Sequence, residues 1–198
     1  MKHLGTKRIE TVSLILRKFS IDDAEDMFKN WASDEEVTRY LTWPTHSSVE
    51  VSKYIISMWE KDNNSLNHYQ WCIELKELGQ AIGSIGVVNL REDINTVEIG
   101  YCVGKKFWGQ GFTSEAFSVL IPFFFEEVQV NRIESRHDLN NPASGRVMEK
   151  CGLIKEGMKR QGDKNNSGIC DVVFYGMVRD DWQRTKKRYK LLCGVCEI

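Results

Sequence analysis

"YCVGKKFWGQGFTSEAF", residues 101–117, sets Gly109 and Gly111 between an apolar run of β character and a run of helical character. A strand that turns into a helix leaves the first helical N–H groups without intrahelical partners. The helix dipole adds partial positive charge at the same end, so the junction suits a phosphate or pyrophosphate. Glycines there let the backbone come close to such a ligand, and Lys105 and Lys106 add positive charge beside it. The stretch reads as a pyrophosphate cradle built from the amides of about residues 108–113. The alternative is a tight connection that holds nothing.

Two familiar phosphate loops fail here. Gly104 and Gly109 give half of a P-loop pattern, but Gln110 and Gly111 stand where Lys and Ser/Thr belong. A dinucleotide fingerprint requires Gly or Ala at position 114, which is Ser114, and the preceding strands read as antiparallel.

Working outward, residues 12–19 alternate as a first strand, and Ser20 with Asp23 forms a helix-capping pair. Asp34 starts a short second helix, and Ser47 and Ser48 precede a third, VEVSKYIISMWEK. The period then changes to two. HYQWCIELKE and QAIGSIGVVNL read as strands joined by a turn at Leu78 and Gly79. NTVEIGYCVG is a further strand, with Val97, Ile99, Tyr101 and Val103 on one face. A helix from Phe112 to about Glu127 should be disturbed by Pro122. NRIESRHD is a strand and PASGRVMEKC a helix. LIKEGMKRQ and GICDVVFYGMVRD close the order as a strand pair. This is a mixed α/β layout around one sheet.

The totals agree with one globular domain. The 198 residues are 41% hydrophobic and 28% charged, with a net charge of −1. That balance gives no basic surplus for nucleic acid as the main partner. The longest apolar run, residues 119–125, is far too short for a membrane span, and residues 1–20 lack a signal peptide's apolar core. A soluble, cytoplasmic protein is expected. Cys72, Cys102, Cys151 and Cys170 are isolated in apolar stretches and read as reduced, buried thiols. Cys193 and Cys196 form a lone C-x-x-C without a second ligand pair, so no metal is expected. The basic tail, residues 185–198, has no assigned role beside a domain spanning 1–184.

Lys106-x-x-Gly109-x-Gly111 resembles the [Q/R]-x-x-G-x-[G/A] motif of the GNAT acetyltransferases, with Lys in place of Gln or Arg. Asn141-Pro142-Ala143-Ser144, followed by RVMEKCGLIKEG, resembles the N-x-x-S-x-x-x-x-E-K-x-G-F-x-x-E-G signature of their RimJ/RimL branch. Leu153 replaces its Phe. WASDEEVTRYLTW, EIGY, WGQGFTSEA, residues 171–175 and Asp181-Trp182 also match, so the resemblance covers roughly residues 10–182.

The resemblance implies a GNAT fold, with a mostly antiparallel twisted sheet of about seven strands flanked by helices. It also implies acetyl transfer from acetyl-CoA to a primary amine by direct attack in a ternary complex. Lys106, Trp108, Gly109, Gln110, Gly111, Phe112 and Thr113 would hold the pyrophosphate. Cys102 and Val103 would pair their backbone with the pantetheine arm, and Asn141 would orient the cosubstrate. Ser144 becomes the candidate acid for the departing thiolate, against a plain helix serine. Glu98, mid-strand in apolar surroundings, is the candidate base acting through a water, against a solvated or salt-bridged strand glutamate.

Tyr101 and Tyr175 are reserve acids, and His137 reads as structural. Trp31, Tyr40, Trp43 and Trp59 are candidates to shape the acceptor pocket, or else core, and Glu35 and Glu36 to attract a cation. The acceptor would be a ribosomal-protein-like N-terminal amine or a small amine, and family members are often homodimers. A rival reading is a non-catalytic acyl-CoA-binding module. Glu98 and Ser144 together favour the enzyme, because binding alone needs neither.

Overall fold

A computed structural model describes residues 1–62 and 64–192. Eight strands form one sheet in the order β1-β2-β3-β4-β5-β6-β8-β7. They are β1 (Ile9–Glu10), β2 (Leu14–Arg17), β3 (Gln70–Leu75), β4 (Gln80–Arg91), β5 (Thr96–Val103), β6 (Arg132–Asp138), β7 (Ile154–Asn165) and β8 (Gly168–Val178). The expected seven become eight through the two-residue β1. All neighbours are antiparallel except β5 and β6, which a helical crossover joins in parallel.

Helices α1 (Ala24–Met27), α2 (Glu35–Thr38) and α3 (Val49–Asp62) lie between β2 and β3. The Ser20 and Asp23 capping box starts this region as read from the sequence, and the Asp34 side chain caps α2. Helix α4 (Phe112–Pro122) joins β5 to β6, α5 (Pro142–Lys150) joins β6 to β7, and α6 (Arg179–Leu192) follows β8. Because α6 runs unbroken through residue 184, no structural boundary falls where domain and tail were divided. Cys193 and Cys196 lie outside the described residues.

Two cores occupy the two faces of the sheet. Leu14, Trp71, Ile85, Phe117, Phe124 and Ile133 belong to one, and Phe19, Met27, Trp31, Ile56, Cys72 and Ala81 to the other. Period-two alternation in β5 sends Val97, Ile99, Tyr101 and Val103 to the first core, and Cys102 packs against the second. Pro122 cannot donate a helical hydrogen bond, and at that residue α4 gives way to a wider π turn, Phe123–Val128. The wider turn is compatible with burying three consecutive rings, Phe123, Phe124 and Phe125.

The sheet forks. β5 and β6 pair only over residues 96–98 with 132–134, whereas β4 stays paired with β5 through Val103 and β8 with β6 through Asp138. The Ser135 hydroxyl donates to the Ile99 carbonyl (2.7 Å) at the branch point. Directly across β5 from the branch, β4 carries a bulge at Val88, which strengthens local twist.

Candidate active site

The loop before α4 has the conformation that a phosphate cradle requires. Gly109 (φ +76°) and Gly111 (φ +90°) both sit in the left-handed region that other residues adopt only under strain. Trp108 between β5 and this turn is extended, and its indole N–H donates to the Val103 carbonyl (2.7 Å), leaving the ring half exposed. The Gln110 side chain donates to the Lys106 carbonyl (2.9 Å), which pins the turn from outside.

Among the described residues, the amides of Gly109, Gln110, Gly111, Phe112, Thr113 and Ser114 have no protein acceptor. The next amide, that of Glu115, is the first bonded within the helix, to the Gly111 carbonyl (2.9 Å). Six unpaired donors at a helix start form a set that fits the pyrophosphate of coenzyme A. Lys105 is held by Glu36 on α2, whereas Lys106 has no carboxylate partner among the described residues.

The fork supplies a second set of open backbone groups. The Gly104 amide bonds the Ile82 carbonyl on β4, and the Ile99 carbonyl meets Ser135 on the β6 side. Strand alternation therefore turns residues 100 and 102 toward β4, and residues 99, 101 and 103 toward the gap. This corrects the sequence reading for Cys102. Its backbone faces Ser84 on β4, so the groups open to a pantetheine arm are those of Tyr101 and the N–H of Val103, whose carbonyl Trp108 holds.

A cleft of about 510 Å³ opens at the fork. Glu98 lies at its base, only 5% exposed, with its carboxylate 3.2 Å from the Arg136 guanidinium. Burial pushes the Glu98 carboxyl above its usual range, and the Arg136 charge opposes that shift. Glu98 is therefore both a cleft residue and one half of a salt bridge.

Ser144 and Asn141 meet the cleft from α5. The Asn141 side chain caps the helix by accepting the Ser144 amide (3.4 Å), and Pro142 occupies the first turn. The Ser144 hydroxyl lies 3.0 Å from the Tyr101 phenol, which itself donates to the Ser144 carbonyl (2.8 Å). Burial pushes the Tyr101 phenol well above its usual range, so it remains protonated. The α5 helix can sit this low because Gly145 lacks a side chain. A Cβ there would lie 2.6 Å from His137 Nε2. His137 also hydrogen-bonds the Asp138 carbonyl and rests on Tyr175, a packing role.

Tyr40, Trp43 and Trp59 line the cleft, whereas Trp31 is wholly buried in the second core. Glu35 and Glu36 border a different, shallower hollow. The turn between β7 and β8 is fastened over the segment of residues 38–43, which carries Tyr40 and Trp43. The Asn166 side chain donates to the carbonyls of Thr38 and Trp43 (2.8 Å each), its amide donates to Leu41, and the Ser167 hydroxyl donates to Arg39. His46, tilted against the Trp43 ring and bonded to Ser52 (2.8 Å), adds an imidazole that burial keeps neutral to lower pH. Cys72, Cys102, Cys151 and Cys170 form no disulfide with one another, and no cluster among the described residues has the ligands for a metal. No described helix is long and apolar enough to cross a membrane.

Residues 13–154 match the sequence family described as "Acetyltransferase (GNAT) domain". The chain belongs to the GNAT acetyltransferases. Among its GNAT relatives, the "Uncharacterized N-acetyltransferase p20" of Bacillus licheniformis is 30% identical over 172 residues. That alignment covers 87% of this chain and 96% of p20. The "Ribosomal-protein-serine acetyltransferase" of Escherichia coli (strain K12) is 32% identical over 99 residues, covering 48% of this chain and 55% of that one. A solved GNAT acetyltransferase from Bacillus anthracis superposes with a TM-score of 0.77 at 24% identity, covering 88% of this chain and 99% of its own. The chain is accordingly an acetyl-CoA-dependent N-acetyltransferase.

Within this GNAT site, sequence reasoning missed Arg136, Asp163, His46 and the turn fastened by Asn166. Each is brought to the cleft by pairing between distant segments, and none carries a local signature.

Proposed function

We propose that the cleft at the fork transfers the acetyl group to a primary amine, with Glu98 as the base and Ser144 as the acid. The observation that carries this reading is the set of six unpaired amides, residues 109–114, lying beside the open β5 edge. Acetyl-CoA, when bound there, supplies an activated thioester. Lys106 and the amides of residues 109–114 would hold its diphosphate, the Trp108 amide being bonded to the Lys105 carbonyl, and Tyr101 and the Val103 N–H would bond its pantetheine arm. An N–H of the same strand edge would polarise the thioester carbonyl.

Glu98 takes the proton that a cationic amine must lose, directly or through one water. Ser144 gives a proton to the leaving sulfur while Tyr101 holds its hydroxyl in place, and Asn141 keeps the start of α5 fixed. Trp43, Trp59 and Tyr40 offer apolar faces to the acceptor's flank. The resemblance to a ribosomal-protein-serine acetyltransferase supports a protein N-terminal amine as the acceptor, and small amines are the second class.

The test is release of free coenzyme A thiol across a panel of seryl and alanyl N-terminal peptides, spermidine and kanamycin. Turnover on at least one amine, lost in Glu98→Gln, supports the reading. Acetyl-CoA binding with no turnover on any member would point instead to a binding module.

A further inference from the structure

Arg136 lines the cleft and joins three strands. Its Nε lies 3.2 Å from Glu98 Oε1 on β5 and 3.1 Å from Asp163 Oδ2 on β7. The three groups differ sharply in exposure. The Glu98 side chain is 6% exposed, while those of Arg136 and Asp163 are 41% and 30% exposed. One cation therefore serves a buried carboxylate and a wetter one at once. Arg136 comes two residues after the last paired residue of β6, where that strand has left β5. Asp163 resumes the β7 to β8 pairing after an irregular stretch, residues 159–163, in which Gln161 adopts a positive φ.

We infer that Arg136 is a positioning residue whose guanidinium, divided between Glu98 and Asp163, sets how readily Glu98 takes a proton from the acceptor amine. This inference rests on the reading of Glu98 as the base. A buried carboxylate alone resists ionisation, and a base that is already protonated cannot act. A guanidinium committed wholly to Glu98 would have the opposite fault, holding the carboxylate as too weak a base. Sharing with Asp163 places Glu98 between these limits.

The other groups facing Glu98 are consistent with this role. Glu134 lies beside it in register on β6 and disfavours its charge, but Arg132 already holds Glu134 (3.0 Å). On β4, Asn89 stands in register with Glu98 and its polar side chain favours the charged carboxylate. Asp138 and Lys164 line the same cleft. The Asp138 carboxylate is occupied by the Asn140 amide and the Asn165 side chain. Arg136 is thus the cation paired with Glu98 among the described residues.

The test follows the Glu98 carboxyl carbon by NMR in protein labelled at glutamate, its signal identified by its loss in Glu98→Gln. In Arg136→Gln the midpoint should rise by about one pH unit or more, since an opposite charge at this range shifts a carboxylate by that order. Arg136→Lys should recover part of the shift. Asp163→Asn should lower the midpoint by freeing the guanidinium for Glu98.

The acid limb of kcat/KM, measured with the best acceptor of the panel above, should move with each midpoint. At a pH one unit below the wild-type limb, Arg136→Gln should lose about tenfold against wild type. Midpoints unchanged in both Arg136→Gln and Asp163→Asn overturn the inference. Midpoints that move while the acid limb stays fixed overturn the assignment of Glu98 as the base, and with it the catalytic consequence drawn here. Thermal melts and circular dichroism of each variant separate misfolding from either result, and Asp163→Asn tests the exposed partner if Arg136→Gln does not fold.

Discussion

The Ser144 hydroxyl and the Tyr101 phenol form a closed pair, 3.0 Å apart, with the phenol proton committed to the Ser144 carbonyl at 2.8 Å. The proton between the two oxygens is therefore the serine's. Ser144→Ala should lower kcat about a hundredfold, a typical loss for a positioned proton donor, while leaving acetyl-CoA affinity within about twofold. Tyr101→Phe should also lower kcat, and the double variant should be no slower than the slower single. Losses that multiply in steady-state rates would show that the two residues act separately.

Gly111 begins α4 at φ +90° with open space where a Cβ would stand. Gly111→Ala should therefore strain the backbone without a clash, at about 1–2 kcal/mol. The expected fall in melting temperature is about 2–8 °C by scanning calorimetry. Gly111→Glu places a carboxylate among the open amides and should abolish acetyl-CoA binding in titration calorimetry. Unchanged binding there would mean that the diphosphate sits elsewhere.

Asn166 fastens the β7 to β8 turn over the segment carrying Tyr40 and Trp43, so Asn166→Ala should loosen the acceptor end alone. The KM for the amine should rise about five- to thirtyfold, corresponding to about 1–2 kcal/mol for the lost hydrogen bonds, with acetyl-CoA affinity unchanged. A matching loss in both constants would show that the turn supports the whole cleft.

Burial pushes the thiols of Cys72 and Cys102 up, and that of Cys170 up to about 11. A group with a raised pKa is protonated below it, so the reactive thiolate is scarce at pH 8. With Cys193→Ser and Cys196→Ser in place, an aromatic disulfide reagent should label the native protein slowly at pH 8 and fully in guanidinium. Rapid native labelling would contradict the buried-thiol reading.

Local chemistry explains what the sequence disclosed. The capping box at Ser20 and Asp23, the alternation in β5 and the turn at Gly79 each depend on neighbours in the chain, and each stands where it was read. Pro122 was legible as a disturbance but not as a π turn, because the width of the turn depends on where three phenylalanines find room. The turn before α4 was legible because glycines with positive φ leave a compositional mark. The direction of the Cys102 backbone was not, since it depends on the register with β4. The Arg136 link between Glu98 and Asp163 joins residues 38 and 27 positions away from it, a relation that no local pattern records.

The parted strands also give the enzyme a built-in gauge. A sheet that stops zipping midway keeps an interior seam of unanswered amides, an edge hazardous on an outer surface but sheltered inside the cleft. A donor molecule carrying amides of its own closes that seam, so the folded state gains stability in step with donor supply, about 2.7 kcal/mol at a hundredfold excess over Kd. The heat resistance of this protein in a cell would then rise and fall with the local acetyl-CoA pool.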